Sequence, residues 1–229
     1  MAHPLHKKLL AEALGTFGIV FAGTSAIVLN DLSGAVFHMG VALIFGLAVF
    51  AMIFALGDIS GAHFNPAVTI GLYLARRISG KTIVPYILSQ ITGALMASIF
   101  LHLLFPAHET LGSTIPTGSL AQSWMLESML TTGLVYVILT VTRSGSKNRI
   151  TAAMAIGGVV ALAALFAGPI SGASMNPARS LGPAVVSGNI EVLWLYFTAP
   201  ILGAAIAVLI CACSKESGCC SRKYTGDNL

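Results

Sequence analysis

The sequence predicts an all-α membrane protein with six transmembrane helices and two re-entrant half-helices in two inverted repeats. Hydrophobic residues make up 56% of the chain and charged residues only 9%, whereas a water-soluble domain has about 25% charged residues. The mean hydropathy is +0.88. The tripeptide Asn65-Pro66-Ala67 returns as Asn176-Pro177-Ala178. A short motif that occurs once in each half of an apolar chain indicates an internal duplication.

The 229 residues suit one domain spanning 1–229, since no long polar stretch exists to build a soluble unit. A helix needs about 20 apolar residues to cross a membrane. Six runs reach or approach that length: 8–29, 38–57, 83–105, 121–142, 150–168 and 192–213. The repeats, about 8–105 and 121–213, hold three runs each. Because three is odd, the second repeat enters from the opposite side and is inverted.

Two further apolar runs, about 65–77 and 176–186, are too short to cross and should form half-helices. Both begin with Asn-Pro, which favours a helix start because Asn caps well and Pro at the first position loses no hydrogen bond. Irregular segments containing Gly61 and Gly172 precede them. Irregular backbone at membrane depth is tolerated where it lines a wet cavity. Because the repeats are inverted, the two half-helices enter the membrane from opposite faces. Their Asn-Pro-Ala ends should then meet near the middle, and both glycines should line a pore.

The formal net charge of +4 does not indicate a nucleic-acid partner, because the basic residues lie in tails and connections. Eleven of the 12 are Lys7, Lys8, Arg76, Arg77, Lys81, Arg143, Lys147, Arg149, Lys215, Arg222 and Lys223. This distribution predicts a multi-pass protein with both termini cytoplasmic. We expect it in the plasma (inner cell) membrane. The twelfth, Arg179, lies within an apolar segment, which marks a functional site by default. It is expected to face the lumen nearer the extracellular mouth; the alternative is a side chain that snorkels to the interface.

Two facing helix N-termini place a positive field at the pore centre, which repels cations including hydronium. Asn65 and Asn176, once each caps its own helix, would still offer side-chain NH2 groups to a passing oxygen. Water or a hydroxyl would then bind weakly, with its oxygen held toward the asparagines. A single file of water oriented in opposite senses on the two sides cannot relay protons.

Glu12 and Glu127 are intramembrane carboxylates at equivalent places in the two repeats. The favoured interpretation is structural: each accepts hydrogen bonds from N–H groups of the irregular segment in its own half. The alternative is a proton relay. His63 could line the cytoplasmic vestibule. No second ligand stands at metal spacing from it, and no catalytic set or cofactor motif is present, so we expect no enzyme activity, cofactor or metal.

Small residues are expected at helix contacts, where they permit close backbone approach. The alternative, for any one of them, is that glycine is simply common in membrane helices. The candidates are Gly15, Gly18, Gly23, Gly40, Gly46, Gly93, Gly133, Gly157, Gly158 and Gly203.

Three stretches together resemble the major intrinsic protein family, the aquaporins and aquaglyceroporins. They are Ala11-Glu12-x-x-Gly15-Thr16, the run from Ser60 to Thr69, and the run from Gly172 to Ser180. The motif runs look most like the nodulin-26-like branch and its bacterial relatives. The resemblance implies the six-helix, two-half-helix fold, usually as a homotetramer with one pore per subunit. It also implies permeation of water, glycerol or uncharged metalloid acids such as arsenous, boric or silicic acid.

In this family the narrowest part of the pore, the aromatic/arginine selectivity filter, is formed by residues at four positions. When the sequence is aligned to the family without gaps, these positions correspond to Phe45, Ala164, Ala173 and Arg179. Strict water channels of the family commonly have His where this chain has Ala164, and glycerol facilitators usually have Asp where it has Ser180. The chain therefore departs from both main subtypes. A filter with one aromatic wall, two alanines and one donor-rich arginine should admit a solute wider than water, with hydroxyls along one edge.

The sequence thus predicts a passive, ion-excluding channel in the lipid bilayer for water and small neutral solutes. A strict water channel is the nearest alternative. A proton-coupled transporter using Glu12 and Glu127 is another, and it requires a flux that saturates and follows a pH gradient. A structural membrane protein acting through its extracellular loops has little support, since those loops are short and nearly uncharged.

Overall fold

The computed structural model describes residues 3–142 and 148–214, and all its regular elements in that part of the chain are helices. The eight helices are α1 (Leu5–Ser33), α2 (Phe37–Ser60), α3 (Pro66–Leu74), α4 (Gly80–Leu104), α5 (Leu120–Val141), α6 (Arg149–Ser171), α7 (Pro177–Ser187) and α8 (Leu193–Ser214). Six are long and apolar enough to cross a membrane, and α3 and α7 are the half-helices. The predicted fold class is therefore confirmed.

The helices pack in the same way in both repeats. α1 packs against α2 and α4, and its counterpart α5 packs against α6 and α8. The α2 and α6 helices join the halves, and α3 and α7 contact each other at the centre. Because the six long helices alternate in direction, one end of the bundle holds the start of α1 and the end of α8. We call this end the terminal face and the opposite end the far face.

The helix bounds differ from the prediction mainly where a helix ends in polar residues, because the prediction followed the apolar runs and stopped at their ends. The first helix extends three residues before its predicted start and runs to Ser33, where Gly34 ends it with a left-handed φ of 67°. The third span begins at Gly80, because Ser79 caps it by accepting from the Lys81 N–H. Half-helix α3 ends at Leu74, three residues before the predicted 77, as the chain turns through a left-handed Arg76.

The distribution of polarity is that of a membrane protein with a polar interior. Large apolar side chains such as Leu10, Phe37 and Leu209 are exposed on the outside. The fully buried side chains include Glu12 and Glu127. Lipid accounts for the exposed apolar surface, and the buried polar groups concentrate around the two half-helices.

The tyrosines and glycines of the repeats make matching contacts. The Tyr86 hydroxyl donates to the Ser60 carbonyl at 2.9 Å, and the Tyr196 hydroxyl donates to the Ser171 carbonyl at 2.6 Å. Each bond ties the third span of a repeat to the end of its second span. A Cβ at Gly93 would lie 2.2 Å from a carbonyl oxygen of α1, and one at Gly203 would lie 2.3 Å from a carbonyl oxygen of α5. Both glycines are required by close helix packing.

Candidate pore between the repeats

The two Asn-Pro-Ala motifs start the half-helices. Asn65 has an extended backbone, and its Oδ1 accepts from the Ala67 N–H at 2.8 Å. Asn176 does the same for the N–H groups of Ala178 at 3.0 Å and Arg179 at 3.3 Å. Proline follows each asparagine at the first helical position, where a missing N–H costs nothing. Both helices therefore begin at the centre of the bundle.

The asparagines also bind each other's loop, which sequence reasoning did not anticipate. Asn65 Nδ2 donates to the Met175 carbonyl at 2.8 Å, and Asn176 Nδ2 donates to the Phe64 carbonyl at 3.0 Å. An NH2 group has two hydrogens, so each asparagine has one left for a solute. Both residues line the central cavity. The pore centre thus has two fixed donors rather than two freely turning amides.

The loops that lead to the motifs follow the same unusual backbone path. Their first, second and fourth residues have left-handed φ: Gly61 (89°), Ala62 (53°), Phe64 (50°), Gly172 (81°), Ala173 (42°) and Met175 (52°). Such values are strained for residues other than glycine and cluster at functional sites. Within the described chain, no hydrogen bond reaches the carbonyl oxygens of residues 61–63 or 172–174. These cavity-lining residues therefore have acceptors available to a solute.

Glu12 holds the first loop in this path. Its Oε1 accepts from Ser60 Oγ at 2.6 Å and from the His63 N–H at 3.0 Å. Its Oε2 accepts from the Phe64 N–H at 2.7 Å and from Gln90 Nε2 at 2.8 Å. The carboxylate thus occupies four donors that lipid could not satisfy.

Glu127 holds the second loop with equivalent partners. Its Oε1 accepts from Ser171 Oγ and the Ser174 N–H, both at 2.8 Å, and its Oε2 accepts from the Met175 N–H at 2.7 Å. Both carboxylates are fully buried. Their contacts correspond to the structural role expected from the sequence.

One cavity of about 910 Å³ runs between the repeats. At the terminal face it is lined by Asp58 and Arg149, and at the far face by Asp31 and Ser113. Its walls in between are mainly aliphatic side chains, with both asparagines at the centre. Such a passage can conduct a small polar solute along a few donors and acceptors while the aliphatic walls bind it weakly.

The four predicted filter positions lie around this cavity. Phe45, Ala164, Ala173 and Arg179 all line it. The Arg179 guanidinium carbon lies 5.1 Å from the centre of the Phe45 ring, and its Nη1 donates to the Gly112 carbonyl at 2.9 Å. Arg179 is only 3% exposed, so its side chain does not extend to the membrane interface, as the snorkelling alternative would require. Its partner Gly112, in the connection between α4 and α5, carries no sequence signal that could have predicted this contact.

Ser180 directly follows Arg179, at the position where glycerol facilitators usually have Asp. In place of a carboxylate it contributes a hydroxyl to a chain of hydrogen-bonded hydroxyl groups. Its Oγ lies 2.6 Å from Ser174 Oγ and accepts from Thr114 Oγ1 at 2.9 Å. This chain ties the α4–α5 connection to the second loop. The departure from the glycerol-facilitator pattern therefore leaves no unpaired buried hydroxyl at Ser180.

His63 occupies the position in the first loop that Ser174 occupies in the second. Its Nδ1 lies 3.1 Å from Thr69 Oγ1, and its ring centre lies 5.0 Å from that of Tyr86. It lines the cavity between Asn65 and the terminal face. In the part of the chain described, no three His, Cys, Asp or Glu side chains form a metal-binding group.

The terminal-face mouth contains an ion pair that the sequence did not predict. Arg149 Nη1 contacts Asp58 Oδ2, and the guanidinium lies over the Phe54 ring, 5.0 Å from its centre. Asp58 and Arg149 are 91 residues apart in the sequence, so no short motif contains the pair. Of the other basic residues, Arg143, Lys147, Lys215, Arg222 and Lys223 lie outside the described residues.

Comparisons with known proteins agree with this geometry. The sequence profile of the major intrinsic protein family matches residues 2–211. The chain is 44% identical over 206 residues to Aquaporin NIP1-4 of Oryza sativa subsp. japonica, covering 90% of this chain and 76% of that protein. It is 39% identical over 203 residues to Nodulin-26 of Glycine max, covering 88% and 75%.

A solved structure matches as well. The crystal structure of the aquaglyceroporin from Plasmodium falciparum superimposes with a TM-score of 0.84 at 25% identity, covering 90% of this chain and 95% of that one. These relatives are channels and not enzymes, and the expected nodulin-26-like branch is confirmed. The chain therefore belongs to the major intrinsic protein family, and it is a multi-pass membrane channel for water and small uncharged solutes.

Proposed function

We propose that this channel passes glycerol and uncharged metalloid hydroxides, such as arsenous or boric acid, as well as water. One observation carries the proposal: Ala164 and Ala173 have only a methyl group where they line the cavity beside Phe45 and Arg179. Two methyl groups leave room for a carbon or metalloid centre between the phenyl ring and the guanidinium. A strict water channel would need a larger side chain there.

Hydroxyl groups would be recognised on one side of the passage. Arg179 keeps guanidinium N–H groups beyond the one that it donates to Gly112, since arginine has five. The loop carbonyls of residues 61–63 and 172–174 supply acceptors further in. A polyol could slide along these groups with its hydroxyls on the polar side and its carbon chain against the aliphatic walls. Each exchange of hydrogen bonds costs little net free energy, because protein groups replace water.

Ions would be excluded by charge and by dehydration. The N-termini of α3 and α7 each carry roughly half a positive charge at the centre of the bundle. Arg179 adds a full charge on the same route. Cations are repelled by these groups, and an anion would lose its hydration shell between aliphatic walls. A water at the asparagines would be oriented by their remaining N–H groups, which interrupts a proton-conducting file.

We also propose that the terminal face is cytoplasmic in the plasma membrane and that four copies assemble. The orientation is supported by Lys7, Lys8 and Lys81, which lie at that face. The acids Asp31, Glu109 and Glu191 lie at the far face instead. The homotetramer is supported by the family's usual assembly.

Stopped-flow light scattering on proteoliposomes tests the proposal. An inward sucrose gradient should cause fast shrinkage only, while an inward glycerol gradient should cause fast shrinkage and then rapid reswelling. Boric acid can then be compared under the same protocol. Shrinkage without accelerated reswelling in glycerol would identify a strict water channel and overturn the proposed solute range.

A further inference from the structure

The α6 wall of the cavity contains a carbonyl that its own helix cannot satisfy. Pro169 lies inside α6 and has no N–H, so it cannot donate to the carbonyl oxygen of Leu165, four residues earlier. Leu165 directly follows Ala164, which lines the cavity. An unpaired carbonyl is costly where water is scarce. The position therefore requires a donor from another element.

His38, the second residue of α2, supplies that donor. Its Nε2 lies 2.6 Å from the Leu165 carbonyl oxygen. Because a carbonyl oxygen only accepts, Nε2 carries the proton, and Nδ1 of the neutral ring is then an acceptor. Gly168 provides the space, since a Cβ there would lie 3.0 Å from His38 Cε1. The imidazole is thus fixed against α6 with one nitrogen donating and the other available.

His38 lies on the solute route, further out than the filter. It lines the cavity on the same helix face as Phe45, seven residues or about 10 Å before it. Since α2 begins at the far face, a solute entering there meets His38 before it reaches Phe45 and Arg179. From the sequence, Ala164 stands where strict water channels commonly have a histidine, so the imidazole expected there is missing. The structure brings one to the neighbouring backbone from a different helix.

The chemistry of His38 complements that of Arg179. Arginine offers donors and no acceptor. Among the described residues, none makes a hydrogen bond to His38 Nδ1, so this atom can accept from a solute hydroxyl. A polyol that loses water at the mouth could donate one hydroxyl proton to Nδ1 while another hydroxyl oxygen moves toward the guanidinium.

We propose that His38 is a specificity-determining residue that accepts a hydrogen bond from the hydroxyl of an entering solute and so favours polyols. This inference rests on the proposed function, because it concerns how glycerol enters. It differs from a purely structural role, in which His38 does no more than satisfy the Leu165 carbonyl. The two roles separate because the first needs an acceptor and the second needs only a donor.

Three substitutions distinguish these roles in proteoliposomes. His38→Ala removes donor and acceptor, and His38→Gln retains both. His38→Lys retains a donor for Leu165 but has no acceptor. His102→Ala is the matched control, since His102 lies near the far-face end of α4 but does not line the cavity. Glycerol and water permeabilities are measured in the same vesicles, so that their ratio is independent of the amount of folded protein.

We expect the glycerol-to-water ratio to fall about three- to tenfold in His38→Ala and His38→Lys, the range of one hydrogen bond. His38→Gln and His102→Ala should keep the ratio within about twofold of the original chain. A ratio restored by His38→Lys, or unchanged in His38→Ala, would overturn the inference while leaving glycerol permeation intact. An original chain without glycerol flux would overturn both this inference and the proposed function.

Discussion

Asn65 Nδ2 donates a hydrogen bond of 2.8 Å to the carbonyl oxygen of Met175, the residue that precedes the second Asn-Pro-Ala motif. The reciprocal bond joins Asn176 to Phe64 at 3.0 Å. Each asparagine therefore caps its own half-helix and holds the opposite loop. The centre of the pore is fixed by both repeats together, which no contact within a single repeat could achieve.

The double role of Asn65 can be separated by substitution. Asn65→Ser keeps a capping oxygen but cannot reach Met175, so the unpaired buried carbonyl should cost about 1–3 kcal/mol of unfolding free energy. Asn65→Ala should cost about 1 kcal/mol more, because the cap is lost too. Denaturant titration in detergent micelles measures both values.

Asn148 provides the control for this pair. It caps α6 through the Thr151 N–H at 3.2 Å and is exposed. Asn148→Ser should be nearly neutral, since Ser caps about as well as Asn, and Asn148→Ala should cost about 1 kcal/mol. If Asn65→Ser were as harmless as Asn148→Ser, the bond to Met175 would contribute nothing to stability.

Replacing Glu127 should damage the second loop rather than a transport cycle. Glu127→Gln turns one of two acceptor oxygens into a donor that faces Ser171 Oγ and the Ser174 N–H or the Met175 N–H. The expected loss of unfolding free energy is about 1–3 kcal/mol. Glu191→Gln, an exposed acid in the α7–α8 connection, should be neutral.

The same variants decide between a channel and a proton-coupled transporter. In the original chain and in folded Glu127→Gln protein, glycerol flux should be the same with and without an imposed pH gradient. A flux that rises with the gradient in the original chain and loses this response in Glu127→Gln would support coupling and contradict the structural role of the carboxylate.

Two adjacent glycines of α6 should respond in opposite ways to alanine. A Cβ at Gly157 would lie 2.6 Å from the Gly46 carbonyl oxygen, whereas one at Gly158 meets nothing within 4 Å. Gly157→Ala should cost about 1–3 kcal/mol through overpacking of α2 on α6. Gly158→Ala should be neutral or slightly stabilising, since alanine favours helix. Thermal unfolding in micelles compares them; equal effects would mean that α2 and α6 do not pack this closely.

The architecture could be predicted because its causes are local. Asn65-Pro66 and Asn176-Pro177 favour helix starts through the cap and the first-position proline, and apolar length indicates a span. Whether a glycine lies at a helix contact depends instead on how distant helices pack. Nothing in the sequence around Gly133 or Gly158 separates these open positions from Gly46, Gly93 or Gly157, which meet backbone of another helix.

The site was predictable only where its residues lie in the motifs or in the family's filter positions. Arg179 was expected in the pore, but its partner Gly112 lies in a connection without a signal. His38 was not singled out, because its importance depends on Pro169 removing a donor from a helix far away in sequence. Such contacts follow from how the helices pack and not from any short pattern.

The permeability of the original chain and of Ala164→His, measured in the same vesicles, tests the width of the filter most directly. An imidazole in place of the methyl group of Ala164 should narrow the space beside Phe45 and Arg179. We predict that the glycerol-to-water permeability ratio falls at least tenfold in Ala164→His while water permeability is kept within about threefold. Equal glycerol flux in the two proteins would contradict the assignment of Ala164 to the filter.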